Sequence, residues 1–403
     1  MSKQKDSSQL TLLDRIQNDM SLSALVVGLI AVTTSYAGPL LIVFQAAKAA
    51  NLSYPLLSTW IWAISFGSGL TGIILSAWFK TPVITAWSTP GAVLLVTALT
   101  TYAYAEAIGA YIFSALLIVF FGFSGLFSWV MKRIPDSVTT AMLAGILLKF
   151  GVDVFVSLKQ LPLLVFPMVL CYLLLKRWYP RYSVAVTLLV GVLTASVLNL
   201  LDFSGVSIVL VSPVFTKPVF SLNAIVGLGI PLFIVTMASQ NAPGLSVLKA
   251  DGYDVPASPL IATTGVASLI LAPFGVHGIN LAAITAAICT GEEAHKERNK
   301  RYVAGIACGV FYLLFGAFGA TIVSVFSAFP NELIAVTAGL ALFASLGSSL
   351  SLAMGEGSQK ESALITFLVT VSNISIAGIG SPFWGLVAGM ITNYIFTGLK
   401  KAD

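Results

Sequence analysis

A single histidine, His277, stands in the stretch APFGVHGINLAAITAAICTG (272–291), whose other residues carry no charge. An imidazole titrates in the physiological range, and an ionisable group in apolar surroundings is costly enough to mark a working site. The chemistry it offers is proton loading and release; the bland alternative is a neutral ring bonded to a backbone carbonyl. Asn280, about a turn further on, offers hydrogen bonds to a carboxylate or serves as a helix cap, and Gly278 bares backbone beside it. Ser239, Gln240 and Asn241 add hydroxyl and amide donors at the end of an apolar run, where bonding between helices is the other role open to them. Ser88, Thr89 and Gly91 flank Pro90 with hydroxyls and accessible backbone. Trp87 and Tyr36 carry rings that stack on a flat molecule or pack in a core. The apolar runs hold no nucleophile–base pair and no metal-ligand cluster, so neither an enzyme nor a cofactor or metal is expected. Cys171, Cys289 and Cys308 lack paired spacing and read as small packing residues.

The elements that must position these groups lie in a membrane. The chain has 403 residues, 57% hydrophobic and 9% charged, against roughly 25% charged in soluble domains. Apolar runs of spanning length recur throughout, with none of the ten-residue alternation of a β-barrel. Fourteen spans are expected, at 21–47, 55–78, 83–102, 107–130, 137–157, 161–178, 182–201, 219–240, 258–274, 276–290, 302–327, 331–354, 362–379 and 382–399. The N-terminus shows no cleavable signal, and Leu10, Leu13, Ile16 and Met20 suggest a short interfacial helix. With that terminus in the cytoplasm, seventeen of the 21 Lys and Arg fall on the cytoplasmic side and three outside. The net charge of +5 is therefore the positive-inside bias, not a nucleic-acid footprint. Lys149 alone lies within a span, and is expected to snorkel outward or to pair with Asp153, a part in transport being the other reading.

Pro39 and Pro55 are sixteen residues apart, as are Pro243 and Pro259, and the pairs are offset by 204, half the chain. An internal duplication follows, and seven spans per half make the second half inverted, a transporter architecture. Pro90-Gly91 falls where the third span would be mid-membrane, so an extended segment to about Ser88 and a half-helix capped by Thr89 are expected. The tenth span repeats the plan, with PFGVHG extended and a half-helix from about Ile279. Irregular backbone at that depth survives only where protein or a cavity surrounds it. Two half-helix N-termini converging on one cavity would hold an anion without arginine.

The stretches ASQNAPGLSVLKADGY (238–253) and LAPFGVHGINLAAITAAIC (271–289) closely resemble signature stretches of the benzoate:proton symporter (BenE) family, and the resemblance runs over essentially the whole chain. It implies kinship with nucleobase and sulfate transporters. It also implies a core domain of spans 1–4 and 8–11 (1–135 and 206–328), a gate domain of spans 5–7 and 12–14 (136–205 and 329–403), and a homodimer in the bacterial inner membrane with both termini cytoplasmic. Nucleobase carriers of this fold place carboxylates on spans 8 and 10. Here Ser239-Gln240-Asn241 and His277 take those places, which suits an aromatic carboxylate entering with a proton better than a neutral ring. A nucleobase carrier, an inorganic-anion carrier and an uncoupled anion channel are the competing readings.

Overall fold

Proline and glycine, the residues that interrupt helices, decide how the apolar runs break. The structure, a computed structural model, describes residues 16, 18–126, 135–355, 359–377 and 379–398. Most of the expected interfacial helix lies outside them. Helices α1 (Leu22–Ala37) and α2 (Pro39–Ala49) form one bent span, because Gly38 leaves the helical region and Pro39 restarts it. Helix α3 (Tyr54–Phe79) is followed by strand β1 (Thr85–Trp87) and the half-helix α4 (Thr89–Ala98). Then come α5 (Tyr104–Ser124), α6 (Asp136–Gln160), α7 (Pro162–Trp178) and α8 (Ser183–Val197). The second half opens with α9 (Leu222–Ala250) and α10 (Ala257–Leu271), then strand β2 (Ile279–Leu281) and α11 (Ile284–Thr290). Helices α12 (Tyr302–Ala317), α13 (Gly319–Ser327), α14 (Asn331–Ala353), α15 (Lys360–Val371) and α16 (Ser381–Asn393) complete it.

Eight helical segments among the described residues are long and apolar enough to cross a membrane. The other six expected spans coincide with shorter pieces: the two strand-plus-half-helix units, α7, α8, α15 and α16. One expectation needs correcting. The thirteenth span was expected to run to residue 379, but α15 stops at Val371 and a hairpin pairs Ser375–Ile376 with Ile379–Gly380. Left-handed Asn373 follows the end of the helix and left-handed Ala377 follows the first hairpin strand, both at φ +54°.

The packing respects an exchange of the halves. Helix α3 packs along α12, and the pair related to it by exchange, α10 with α5, packs along its length as well. Helix α6 lies along α14, its own counterpart, as β1 lies along β2. Small residues permit the close approaches: a Cβ on Gly309, in the stretch GIACG (305–309), would sit 2.6 Å from the Gly69 carbonyl oxygen. Helix α9 is loosened twice, by π-turns at Ile225–Gly229 and Met237–Asn241. Pro231 and Pro243 explain both, since each lacks the N–H that would bond the carbonyl four residues back, in the middle of the turn.

Candidate functional site

The two broken spans meet as a two-stranded antiparallel ladder. Thr85 pairs with Leu281, Ala86 with Asn280 and Trp87 with Ile279. The ladder continues at both ends, where Ser88 N–H donates to the Gly278 carbonyl at 2.9 Å and Ala282 N–H to that of Ile84 at 2.9 Å. Each break thus satisfies the other's backbone, which is what extended chain inside a membrane requires.

On the first strand, Val83, Ile84 and Thr85 favour extension, and Pro90 confines the helix to begin just before it. Ser88, not the expected Thr89, is the N-cap. Its Oγ accepts from Gly91 N–H at 3.1 Å and from Thr236 Oγ1 at 3.1 Å, while Thr89 is already helical. Gly91 is needed because a Cβ there would lie 2.7 Å from Leu232 on α9. On the second strand, Gly275 (φ +102°) and Gly278 (φ +149°) bracket His277 in conformations other residues resist. The half-helix expected from Ile279 begins at Ile284 instead, because residues 279–281 are committed to the ladder. Asn280 is accordingly on a strand, neither a turn beyond His277 on a helix nor a cap.

His277 is 1% exposed and held from two sides. Trp60 Nε1–H on α3 donates to Nδ1 at 3.2 Å, and Nε2 lies 3.0 Å from the Ser88 carbonyl oxygen. An indole N–H only donates, so Nδ1 is bare and the proton sits on Nε2, donating to Ser88. The ring is therefore the neutral Nε2–H tautomer, linking α3, the cap of α4 and the tenth span. Trp60 meets it edge-on at 5.7 Å between centroids, and Tyr111 of α5 lies at 6.3 Å.

The neighbouring polar groups are tied to backbone. Asn280 is fully buried; with its amide oriented to satisfy its neighbours, Oδ1 accepts from Ser88 N–H and Nδ2 donates to the Leu281 carbonyl, each at 3.0 Å. Asn241 Oδ1 accepts from Leu281 N–H at 2.9 Å, and its Nδ2 reaches Met237 Sδ at 3.2 Å, pinning the π-turn of α9 to the strand. Ser239 and Gln240, in the same π-turn, are half-buried on the segment that α6 packs against, and neither side chain has a hydrogen bond among the described residues. Asn241 thus holds the strand four residues beyond His277, at Leu281, while Gly278, Ser88 and Asn280 gather about the histidine itself. Trp87 and Tyr36 do not: strand alternation turns Trp87 away from Ser88, and it packs edge-on at 5.8 Å against both Tyr36 and Tyr312. Tyr36 Oη is bonded to Ser65 Oγ at 2.5 Å. Sequence reasoning missed Trp60, Thr236 and Ser268, whose Oγ accepts from Ile279 N–H at 2.7 Å; none carries a local signal that separates it from an ordinary core residue.

Residues 18–395 match the model of a family described as benzoate membrane transport protein. The benzoate membrane transport protein of Acinetobacter baylyi is 45% identical over 385 residues, 96% of this chain and 98% of that one. Inner membrane protein YdcO of Escherichia coli is 43% identical over 365 residues, 91% and 93% of the two chains. Among solved structures, SLC26A9 superposes with TM-score 0.63 at 14% identity over 94% of this chain, which spans 65% of that longer one. The transmembrane domain of the cyanobacterial bicarbonate transporter BicA superposes with TM-score 0.55 at 14% identity, over 91% and 97% of the two chains. At that identity these two likenesses speak to the fold.

Proposed function

The chain belongs to the benzoate membrane transport protein family, and from that premise we propose that it imports benzoate, or a close aromatic carboxylate, together with a proton by alternating access. The observation that carries the coupling is the seat of the His277 ring between the Trp60 indole N–H and the Ser88 carbonyl, which selects the neutral Nε2–H tautomer. Its one vacant nitrogen, Nδ1, is the place a proton can go. Once protonated there, His277 has two N–H donors, and Nδ1–H can no longer face the Trp60 indole. The bond between α3 and the tenth span breaks, and the same N–H becomes a donor to a carboxylate. Imidazolium and carboxylate then neutralise one another at membrane depth, where either charge alone is expensive. Proton and substrate thus enter as one unit.

Around that pair, Gln240 and Ser239 supply donors not committed elsewhere, the N-terminal turn of α4 at Ser88, Thr89 and Gly91 favours negative charge, and Asn280, Asn241 and Gly278 hold the strands in place. Half-helix α11 is only seven residues long and has no side-chain cap, so the dipole contribution rests on α4. The moving bodies are residues 1–135 with 206–328 against 136–205 with 329–403. Close packing within each set, α3 on α12 and α5 on α10 in one and α6 on α14 and α15 in the other, supports that division. The chain works as a homodimer in the bacterial inner membrane with both termini cytoplasmic; the E. coli relative carries that membrane in its name. Reconstituted protein is expected to accumulate labelled benzoate under an inward proton gradient and to stop when an uncoupler collapses it. Accumulation that persists with uncoupler and no other ion gradient overturns the coupling.

A further inference from the structure

One charged group remains unaccounted for. Lys149 lies on α6, eleven residues from the end that the charge count puts outside, or about 16 Å along the helix axis. A lysine at such depth needs a counter-ion or water. Asp153, one turn on, attracts the ammonium electrostatically but does not close on it: among the described residues the Lys149 side chain has neither an ion pair within 4 Å nor a hydrogen bond. It lines instead a cavity of about 350 Å³ between α6, α15, the start of α16 and the outer end of α4. Thr97, Asn373 and Ser381 give that cavity polar atoms, Ile146 and Val152 give it apolar wall, and its lining holds no carboxylate. A second cavity of about 70 Å³ shares Thr97, Asn373, Ser381 and Pro382 with the first and extends along α4 to Leu94 and Gly227. Leu94 is six residues beyond Ser88, about 9 Å along the half-helix from the His277 cluster.

We propose that this is an outer capture site for an aromatic monocarboxylate, with Lys149 binding the carboxylate and Ile146 and Val152 flanking the ring before the substrate reaches His277. The proposal rests on reading the chain as an aromatic carboxylate carrier. A single cation in a lining without carboxylates, with Asp153 a turn away outside it, favours an anion, and apolar walls select one with a ring over a small inorganic ion. Because Thr97 belongs to one helix set and Lys149 to the other, closing the cleft between the sets would strip the site and pass its occupant inward.

The test uses full-length protein in proteoliposomes with external benzoate. Lys149→Gln is expected to raise the KM for uptake about tenfold while the maximal rate stays within about twofold, and Lys149→Arg to restore KM. Lys149→Cys is expected to react with an impermeant thiosulfonate added outside, to be protected by benzoate, and to recover a low KM when the reagent adds an ammonium but not when it adds a sulfonate. Unmodified wild-type protein reports any labelling of the native cysteines. A wild-type KM in Lys149→Gln, or a Lys149→Cys that external reagent does not reach, overturns the proposal. A wild-type protein that takes up no benzoate overturns the transport reading instead; external labelling of Lys149→Cys and its protection by benzoate still decide whether the capture site exists.

Discussion

The third span breaks at Ser88 and the tenth between Gly275 and Gly278, and these breaks lie at matching places in the two halves, paired strand to strand. Their materials differ. The third-span break is capped by a side chain and launches a ten-residue half-helix, so its contribution is a fixed dipole and a carbonyl. The tenth-span break has two left-handed glycines, a longer extended stretch, a seven-residue half-helix without a side-chain cap, and the histidine. The two halves share the backbone device, and under the proposed coupling they divide the chemistry: one half holds still and favours negative charge, the other changes protonation. A coupled carrier needs that inequality, because two fixed sites would bind an anion without linking it to a proton.

The sharpest way to break the comparison is to take the proton away from the tenth span. His277→Gln keeps a donor for the Ser88 carbonyl and cannot load a proton. Concentrative uptake is expected to fall to equilibrium, while exchange of labelled for unlabelled benzoate continues. Wild-type accumulation in this variant would move the coupling proton elsewhere. Next in size is Gly275→Ala, where a Cβ would meet Tyr104 Oη at 2.6 Å and Trp60 at 3.0 Å, at a φ of +102°. Strain and overpacking together should cost about 2–5 kcal/mol, read as a large drop in the unfolding temperature of detergent-solubilised protein. A smaller drop than that of Gly91→Ala, whose φ is ordinary, would show the third span to be the more constrained break.

A pair of amides sharpens the same contrast. Asn280 bonds backbone on both strands and Gln240 bonds nothing described. Asn280→Ala should therefore destabilise by about 1–3 kcal/mol, because the buried Leu281 carbonyl loses its amide donor and Ser88 N–H keeps only the Gly278 carbonyl. Gln240→Ala should leave thermal stability within about 0.5 kcal/mol and weaken benzoate binding several-fold. The reverse pattern would put Gln240 in the scaffold and Asn280 against the substrate.

How much of this was legible follows from whether the cause is local. The third-span break was legible because proline fixes φ and lacks an N–H wherever it stands. His277 was legible because an ionisable group in an apolar run is rare. The start of α11 was not: INLAAITAAIC reads as helix, and only pairing with residues 85–87, nearly two hundred positions away, holds 279–281 extended. Trp60 was invisible for the same reason, since its importance lies in which nitrogen of His277 it faces. The end of α15 was present in the turn chemistry of Asn373 and the residues after it, and counting apolar residues to a span length overrode that signal. The positions of the long helices, set by composition alone, came through best.

The smallest effect belongs to the cap. Ser88→Ala removes the acceptor for Gly91 N–H and for Thr236 Oγ1, but leaves the Ser88 carbonyl, which holds His277 and belongs to the backbone. The α4 N-terminus should lose about 0.5–2 kcal/mol, the usual range for a lost N-cap. Thr236 then has no partner across the interface, and α9 loosens from α4. If the third span is a fixed dipole and no more, stability should fall modestly and the dependence of uptake on the proton gradient should stay as in wild type, with only the apparent affinity for benzoate reduced. A Ser88→Ala variant with uncoupled uptake would instead show that the cap transmits the state of His277. In that case the two breaks would act as one switch. Measuring the ratio of protons to benzoate taken up, rather than either flux alone, distinguishes these outcomes even if the variant is slow.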